Sequence, residues 1–377
     1  MAKNKIKITF VTVSRSDFGI MKNIIKRCSE IKAIETSFVI TGTHFSKKFG
    51  KTIKDIEKEK FIKKINIIKK LKTKYSDSNQ NRTNVYFSSI IKMMNSFLSG
   101  YKPDKVILIG DRYEMLAIAL TCFNLNIDVY HFCGGSKTIG SLDDKYRNAI
   151  SLLSKKHFVE TQLHMRNLLN LNIKKKDIFI TGAPALENIN NIKFGTKESL
   201  IKKYKINFNK NDKIILSTFH PETTKSLNEN IKNLKIMLNF LKQTNQVIIF
   251  TYPGADFGYN KFIQIIEKYK NKKIYTYKNL GTETYYRFLQ ISDLVIGNSS
   301  SGIIETGAFK KPTIDIGERQ KDRIKNVNVY NSNFDIQKLK KLYKKVVNKK
   351  NYKQIKLMND VYKTKMNSAQ IVKELLN

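Results

Sequence analysis

Cysteine is scarce in this 377-residue chain: only Cys28, Cys122 and Cys133, far apart and with no C-x-x-C. That excludes a disulfide framework and a cysteine zinc site, and it suits a reducing cytosol. Long apolar runs are missing too, none approaching the ~18 residues of a membrane span. The lysines at the start lead into Ile8–Val13, but Ser14, Arg15, Ser16 and Asp17 follow at once. Such a run is too short for a signal peptide and right for a buried strand, so the reading places the chain in the cytoplasm, off the membrane. Acidic residues are few, 31 Asp+Glu against 70 Lys+Arg, for a net charge of +39. This charge has two readings: an electrostatic footprint for nucleic acid, or compositional drift in which lysine, asparagine and isoleucine all rise together. The lysines (Lys22, Lys26, Lys47, Lys63, Lys64 among them) are scattered over the predicted helices. No RNA-recognition or zinc-finger signature accompanies them. The drift reading is favoured, with no specific nucleic acid as partner; attraction of a negatively charged small substrate stays open.

What is present is alternation. Short apolar runs recur at Ile6–Val13, Thr36–Ile40, Lys105–Ile109, Ile127–His131, His157–Glu160 and Ile178–Thr181. A second series follows at Lys213–Thr218, Gln246–Thr251, Lys273–Thr276, Leu294–Gly297 and Thr313–Ile316. Stretches of helical length separate them, such as Asp17–Glu30, Asn84–Leu98, Leu227–Leu241 and Lys261–Tyr269. Strand–helix alternation predicts an α/β protein with parallel sheets covered by helices. The restart near residue 210 predicts two doubly wound, Rossmann-like domains facing across a cleft. Residues 1–187 form the first, completed by a C-terminal helix within 360–377, and residues 188–359 form the second. Two terminal helices are expected, Lys338–Val347 and Asn359–Leu376. Ligands of such sheets bind outside the carboxyl ends of the strands.

Nearly all the unusual residues fall just after a predicted strand. Ser14-Arg15-Ser16-Asp17 joins a helix-capping acid to a cation at a helix N-terminus, which suits a phosphate and equally an ordinary cap. Gly110-Asp111-Arg112 puts a carboxylate and a guanidinium at a strand end. Cys133-Gly134-Gly135-Ser136 lets a ligand approach the backbone, and Asp143-Asp144 follows. Asp143 reads either as a general acid or base or as a helix cap. His220, before Pro221, ends another strand and titrates near neutrality. The five histidines are too dispersed for a metal site. The strongest feature is Gly297-Asn298-Ser299-Ser300-Ser301-Gly302, a small-residue cradle for phosphate, with Glu305 a turn later to accept from ribose hydroxyls. Arg319 and Arg323 add cations. Neither a Walker A loop nor G-x-G-x-x-G is present.

With these motifs in order, the sequence resembles the hydrolysing UDP-N-acetylglucosamine 2-epimerases of sialic and legionaminic acid biosynthesis. The resemblance runs from Ser14-Arg15-Ser16-Asp17 to Arg323. It includes Thr41-Gly42-Thr43-His44, Gly110-Asp111-Arg112, Asp143-Asp144-Lys145-Tyr146-Arg147, Thr181-Gly182-Ala183-Pro184, Phe219-His220-Pro221, Tyr252-Pro253-Gly254-Ala255-Asp256 and Gly297-Asn298-Ser299-Ser300. It implies a glycosyltransferase-B-like fold, no cofactor, a UDP-sugar substrate and a homo-oligomer. It implies that Asp111, Asp143 and His220 are acid–base residues around the sugar. It implies that Arg15, Asp17, Arg112, Ser299, Ser300, Glu305 and Arg319 bind UDP-sugar. The family pattern has Glu or His at Cys133 and an acid at Ser136, so the resemblance also points to a modified sugar such as UDP-N,N′-diacetylbacillosamine. A glycosyltransferase of this architecture and a catalytically altered UDP-sugar binder are the alternatives.

Overall fold

The computed structural model describes residues 5–47, 49–72, 80–138, 141–254 and 258–377. It divides into two compact units. The first comprises Met1–Ser136, Asp143–Asn190 and Lys363–Asn377; the second comprises Lys137–Leu142 and Asn191–Tyr362. No feature of the sequence marks Lys137–Leu142 as part of the second unit.

The first unit holds seven parallel strands: β1 Ile6–Thr12, β2 Ile34–Ile40, β3 Ile67–Lys70, β4 Lys105–Ile109, β5 Asp128–Phe132, β6 Lys156–Val159 and β7 Ile178–Ile180. Their order is β3-β2-β1-β4-β5-β6-β7. The central strands are apolar on both faces, as a parallel sheet under helices requires. All five residues of β4, Lys-Val-Ile-Leu-Ile, are buried, and Phe10 of β1 lies between Phe38 of β2 and Ile107 of β4. The helix Ser368–Leu376 returns to this unit and packs Ile371, Val372 and Leu375 into its core beside the helix Arg15–Ser29.

The second unit holds six parallel strands: β8 Ile214–Thr218, β9 Val247–Thr251, β10 Ile274–Tyr277, β11 Leu294–Gly297, β12 Thr313–Ile316 and β13 Val329–Ser332. Their order is β10-β9-β8-β11-β12-β13. Its core gathers Ile215, Phe219, Leu238, Phe250, Phe262 and Ile296. In both sheets the winding reverses once, between β1 and β4 and between β8 and β11. Right-handed crossovers then put helices on opposite faces on either side of that point, which leaves a crevice at the strand ends.

Two strands were not expected from the sequence, β3 and β13. Both lie at a sheet edge, and Ile-Ile-Lys-Lys and Val-Tyr-Asn-Ser carry no sustained apolar run. Backbone pairing with β2 and β12 recruits them. Edge lysines also discourage pairing with another chain. The expected helix Asn359–Leu376 is corrected: helix occupies Lys349–Leu357 and then only Ser368–Leu376. The N–H groups of Lys365 and Met366 both donate to the Thr181 carbonyl, holding that stretch out of helix. Asn367 then caps the last helix in a reciprocal box with Gln370.

Candidate active site

Both reversal points carry the residues picked out in the sequence. In the first unit the turn after β1 is Ser14–Asp17. The Asp17 carboxylate accepts from the N–H groups of Val13 (3.1 Å) and Ser14 (2.8 Å) and from the hydroxyls of Ser14 (2.9 Å) and Ser16 (3.3 Å). Asp17 is buried, and burial raises its pKa while Arg112 lowers it. Its oxygens serve their own turn, so it shapes the helix N-terminus. Arg15, in contrast, is exposed at the first position of that helix.

Beneath this turn lies His44, with no exposure. Its Nε2 is 2.9 Å from Thr12 Oγ1 and its Nδ1 2.8 Å from Thr52 Oγ1. The Thr12 hydroxyl donates to the Ser14 carbonyl, so Nε2 supplies the proton to Thr12 and Nδ1 accepts from Thr52. Burial pushes its pKa down to about 4, leaving a neutral ring.

The turn after β4 carries Asp111 and Arg112. Arg112 forks onto Glu114, both contacts at 3.3 Å. Asp111 accepts from Arg147, a guanidinium only 1% exposed. Arg147 also donates to Asp144 (2.9 Å) and to the Ser136 carbonyl (2.6 Å). Burial opposes the charge on Arg147, but Asp111 and Asp144 outweigh it and hold the pKa above the ordinary value. One buried cation thus gathers two carboxylates and a backbone carbonyl, and a charged pair so enclosed must be matched by hydrogen bonds. His131 supports the same turn from behind. Its Nε2 is 2.8 Å from the Gly110 carbonyl, which can only accept, so Nε2 bears the proton. Nδ1 then accepts from Ser151 at 3.0 Å, and burial pushes the pKa to about 3.

Asp143 opens the helix Asp143–Leu152, half-buried in its first turn, and Arg147 and Ser151 follow on that helix four residues apart. Cys133 has φ +63° and donates its N–H to Phe158. Gly135 has φ +74°, and a Cβ there would stand 2.3 Å from the His164 carbonyl. A side chain at 135 is therefore excluded by backbone, not by preference.

In the second unit the turns after β8 and β11 are tied together. The Asn298 side chain accepts from the His220 N–H and donates to the His220 carbonyl, each at 2.7 Å. Gly254 N–H donates to His220 Nδ1 (3.2 Å), so a neutral His220 carries its proton on Nε2. Ser299 and Ser300 lead into the helix Ser301–Ala308, with Ser300 at the N-cap. Glu305 accepts from Tyr286 (3.0 Å) and from Ser301, whose hydroxyl also meets Tyr285 (2.6 Å). Arg319 (3.2 Å) and Gln320 (3.0 Å) both donate to the Asn298 carbonyl. Ala255 and Asp256 lie outside the described residues.

Each sequence candidate therefore lies at a reversal point or in the loop after the next strand. Asp111, Arg112, Arg15, Asp17 and Asp143 belong to the first unit; His220, Ser299, Ser300, Glu305 and Arg319 belong to the second. Sequence reasoning missed the supports: Ser151, Tyr285, Tyr286 and Glu222. Their partners lie far along the chain, so no local pattern flags them. Among the described residues no cluster of three or more metal-ligating side chains occurs, and no helix is long and apolar enough to cross a membrane.

Comparisons with known proteins give the family and the fold. The chain is 35% identical to the Campylobacter jejuni "GDP/UDP-N,N'-diacetylbacillosamine 2-epimerase (hydrolyzing)", over 92% of this chain and 88% of that one. It is 32% identical to the Legionella pneumophila "UDP-N,N'-diacetylbacillosamine 2-epimerase (hydrolyzing)", over 86% and 84%. The crystal structure of the Neisseria meningitidis UDP-GlcNAc 2-epimerase bound to UDP-GlcNAc superposes with a TM-score of 0.82 at 19% identity, covering 98% of this chain and all of that one. The shared fold is the glycosyltransferase-B-like pair of parallel-sheet domains. The family model described as UDP-N-acetylglucosamine 2-epimerase spans residues 26–376, so nearly every motif above falls inside it, and the chain belongs to that family.

Proposed function

We propose that this chain is a hydrolysing UDP-N-acetylhexosamine 2-epimerase of nonulosonic acid biosynthesis, acting on UDP-N,N′-diacetylbacillosamine on a route to legionaminic acid. The observation that carries the reading is Asp111: a carboxylate at the reversal point of the first sheet, gripped by a buried arginine, in a chain whose relatives bear that activity in their names. In the reaction a base takes the proton from C2 while the C1–O bond to UDP breaks, giving a 1,2-glycal and UDP. Water then adds its hydroxyl at C1, and a proton returns to C2 from the opposite face. The sum is redox-neutral, so no redox cofactor is required.

Asp111, on the loop after β4, and Asp143, at the start of the helix Asp143–Leu152, are the acid–base pair, their segments joined through Arg147 and Asp144. His220, with Nδ1 already accepting from Gly254, presents its Nε2–H to the departing group as a hydrogen-bond donor, and it can give a proton only as the imidazolium, after releasing the Gly254 N–H. Ser299 and Ser300 hold the diphosphate at a helix N-terminus, and Glu305 takes the ribose hydroxyls. Arg15, Arg112 and Arg319 neutralise phosphate charge, and Asp17 fixes the turn that presents Arg15. The protein works in the cytoplasm as a homo-oligomer.

Cys133 and Ser136 are non-acidic, which favours one specific second reading, a UDP-sugar binder without turnover. Proton NMR in D₂O separates the two, using UDP-N,N′-diacetylbacillosamine, its GDP-linked counterpart and UDP-N-acetylglucosamine in turn. Free 2-epimer carrying deuterium at C2, with release of the nucleoside diphosphate, is expected for the first sugar. Binding with neither release nor deuterium for all three would sink the epimerase.

A further inference from the structure

Glu222 is a carboxylate with no exposure at all, two residues beyond His220. Glutamate is almost never fully buried unless paired. Here one oxygen, Oε2, sits 2.6 Å from Lys225 Nζ. The other, Oε1, accepts the Glu318 backbone N–H at 2.8 Å, across 96 residues of sequence. That bond needs a close approach. Gly317 has φ +87°, and a Cβ on it would stand 2.1 Å from Glu222 Oε1. Asn230 fixes the Glu222 backbone from both sides, accepting its N–H (2.7 Å) and donating to its carbonyl (3.0 Å). The turn that Glu222 holds leads directly into Arg319 and Gln320, which both donate to Asn298, and Asn298 holds both backbone groups of His220.

The contacts close a ring: His220, Glu222, Gly317–Glu318, Arg319–Gln320, Asn298 and back to His220. We propose that Glu222 is a positioning residue that locks the Arg319 turn to the His220 turn, so that nucleotide binding through Arg319 depends on a carboxylate that never touches the nucleotide. This rests on the reading that Arg319 meets UDP. Among the described residues Arg319 donates to one carbonyl, that of Asn298, and its guanidinium is pre-placed because the chain entering it is pinned one residue earlier. Pre-placement lowers the ordering cost of binding.

The test is UDP affinity by titration calorimetry on the full chain and on Glu222→Ala, Glu222→Gln, Arg319→Ala and the Glu222→Ala/Arg319→Ala pair, with circular dichroism confirming the fold. Glu222→Ala is expected to weaken UDP by about 10-fold or more, the scale of a lost hydrogen bond to a charged group. Glu222→Gln keeps a neutral acceptor for the Glu318 N–H and should stay within about 3-fold of the parent. In the double variant, Glu222→Ala should add less than about 2-fold to the Arg319→Ala loss, because coupled sites are not additive. Should Glu222→Ala fail to fold, Gly317→Ala carries the same test, since its Cβ drives the turn off the carboxylate. Parent-like UDP binding by Glu222→Ala, a Gln variant as weak as the Ala variant, or full additivity with Arg319→Ala would each overturn the clamp. A parent that binds no UDP would instead overturn the reading of the site, before any variant is made.

Discussion

The two sheets reverse at equivalent points and finish them with opposite chemistry. Past β4 and the loop after β5, the first unit gathers carboxylates on one buried cation, Arg147, with neutral histidines packed behind. Past β8 and β11, the second unit offers backbone N–H groups, serine hydroxyls and a tethered histidine. The topology is the same, so it does not set the role. The difference lies in what the loops carry and in the side chains that hold each of them. Groups that move protons need an environment that fixes their charge, whereas groups that hold phosphate need oriented donors.

This division can be broken experimentally, most sharply at Asp111. Asp111→Asn should cut UDP-sugar turnover by about 10²–10⁴-fold, the worth of one acid–base group, while UDP affinity stays within about 3-fold. Steady-state kinetics beside calorimetry decide it. Equal loss of both would mean that Asp111 supports nucleotide binding and not the chemical step.

Acid should separate the units next. His44, His131 and His157 all lie in the first unit, and burial lowers their pKa values to about 4, 3 and 4. Above pH 6.5 both folded and unfolded rings are neutral and the folded state keeps its full stability. Below it the unfolded chain takes protons that the folded one refuses, so stability falls as pH drops from about 6.5 towards 4, by roughly 3 kcal/mol per histidine. Hydrogen exchange at pH 5 should show amides of the first sheet losing protection before those of the second. Simultaneous loss would show that the histidines do not control it.

On the nucleotide side, Glu305→Ala or Ser300→Ala should weaken UDP by about 10-fold, with turnover at saturating substrate reduced less. Calorimetry against kcat gives the split, and unchanged UDP affinity in both variants would remove this helix N-terminus from the site. The smallest expected change is structural. Gly135→Ala should cost about 1–3 kcal/mol, read as a lowered Tm, because the left-handed backbone and the His164 carbonyl both resist a Cβ. A variant as stable as the parent would mean that the loop shifts freely, and the contrast between a fixed acid loop and a fixed donor loop would weaken.

Much of the fold was legible. β4, β11 and β12 begin and end where their apolar runs do, because fully buried parallel strands require continuous Ile and Val. The edge strands β3 and β13 were not, because half-exposed strands need no such run. The site was legible where glycine, serine and acids cluster after a strand. It was not legible at Arg147, whose motif gave no sign that its guanidinium would be the buried hub of the acid loops. Glu222 was equally silent, since its partner, the Glu318 N–H, exists only after β8 and β12 are brought into one sheet.

The sequence by itself determined the class: two series of short apolar runs, a reversal-type sheet in each, and reactive residues at strand ends, because periodicity and turn chemistry are local properties of the chain. Only the tertiary structure decided how those residues are held and by which partners. Tautomers of His44, His131 and His220, the grip of Arg147 on Asp111 and the burial of Glu222 all arise from groups distant in sequence meeting out of water, where an unmatched proton or charge is costly and each partner therefore fixes the other.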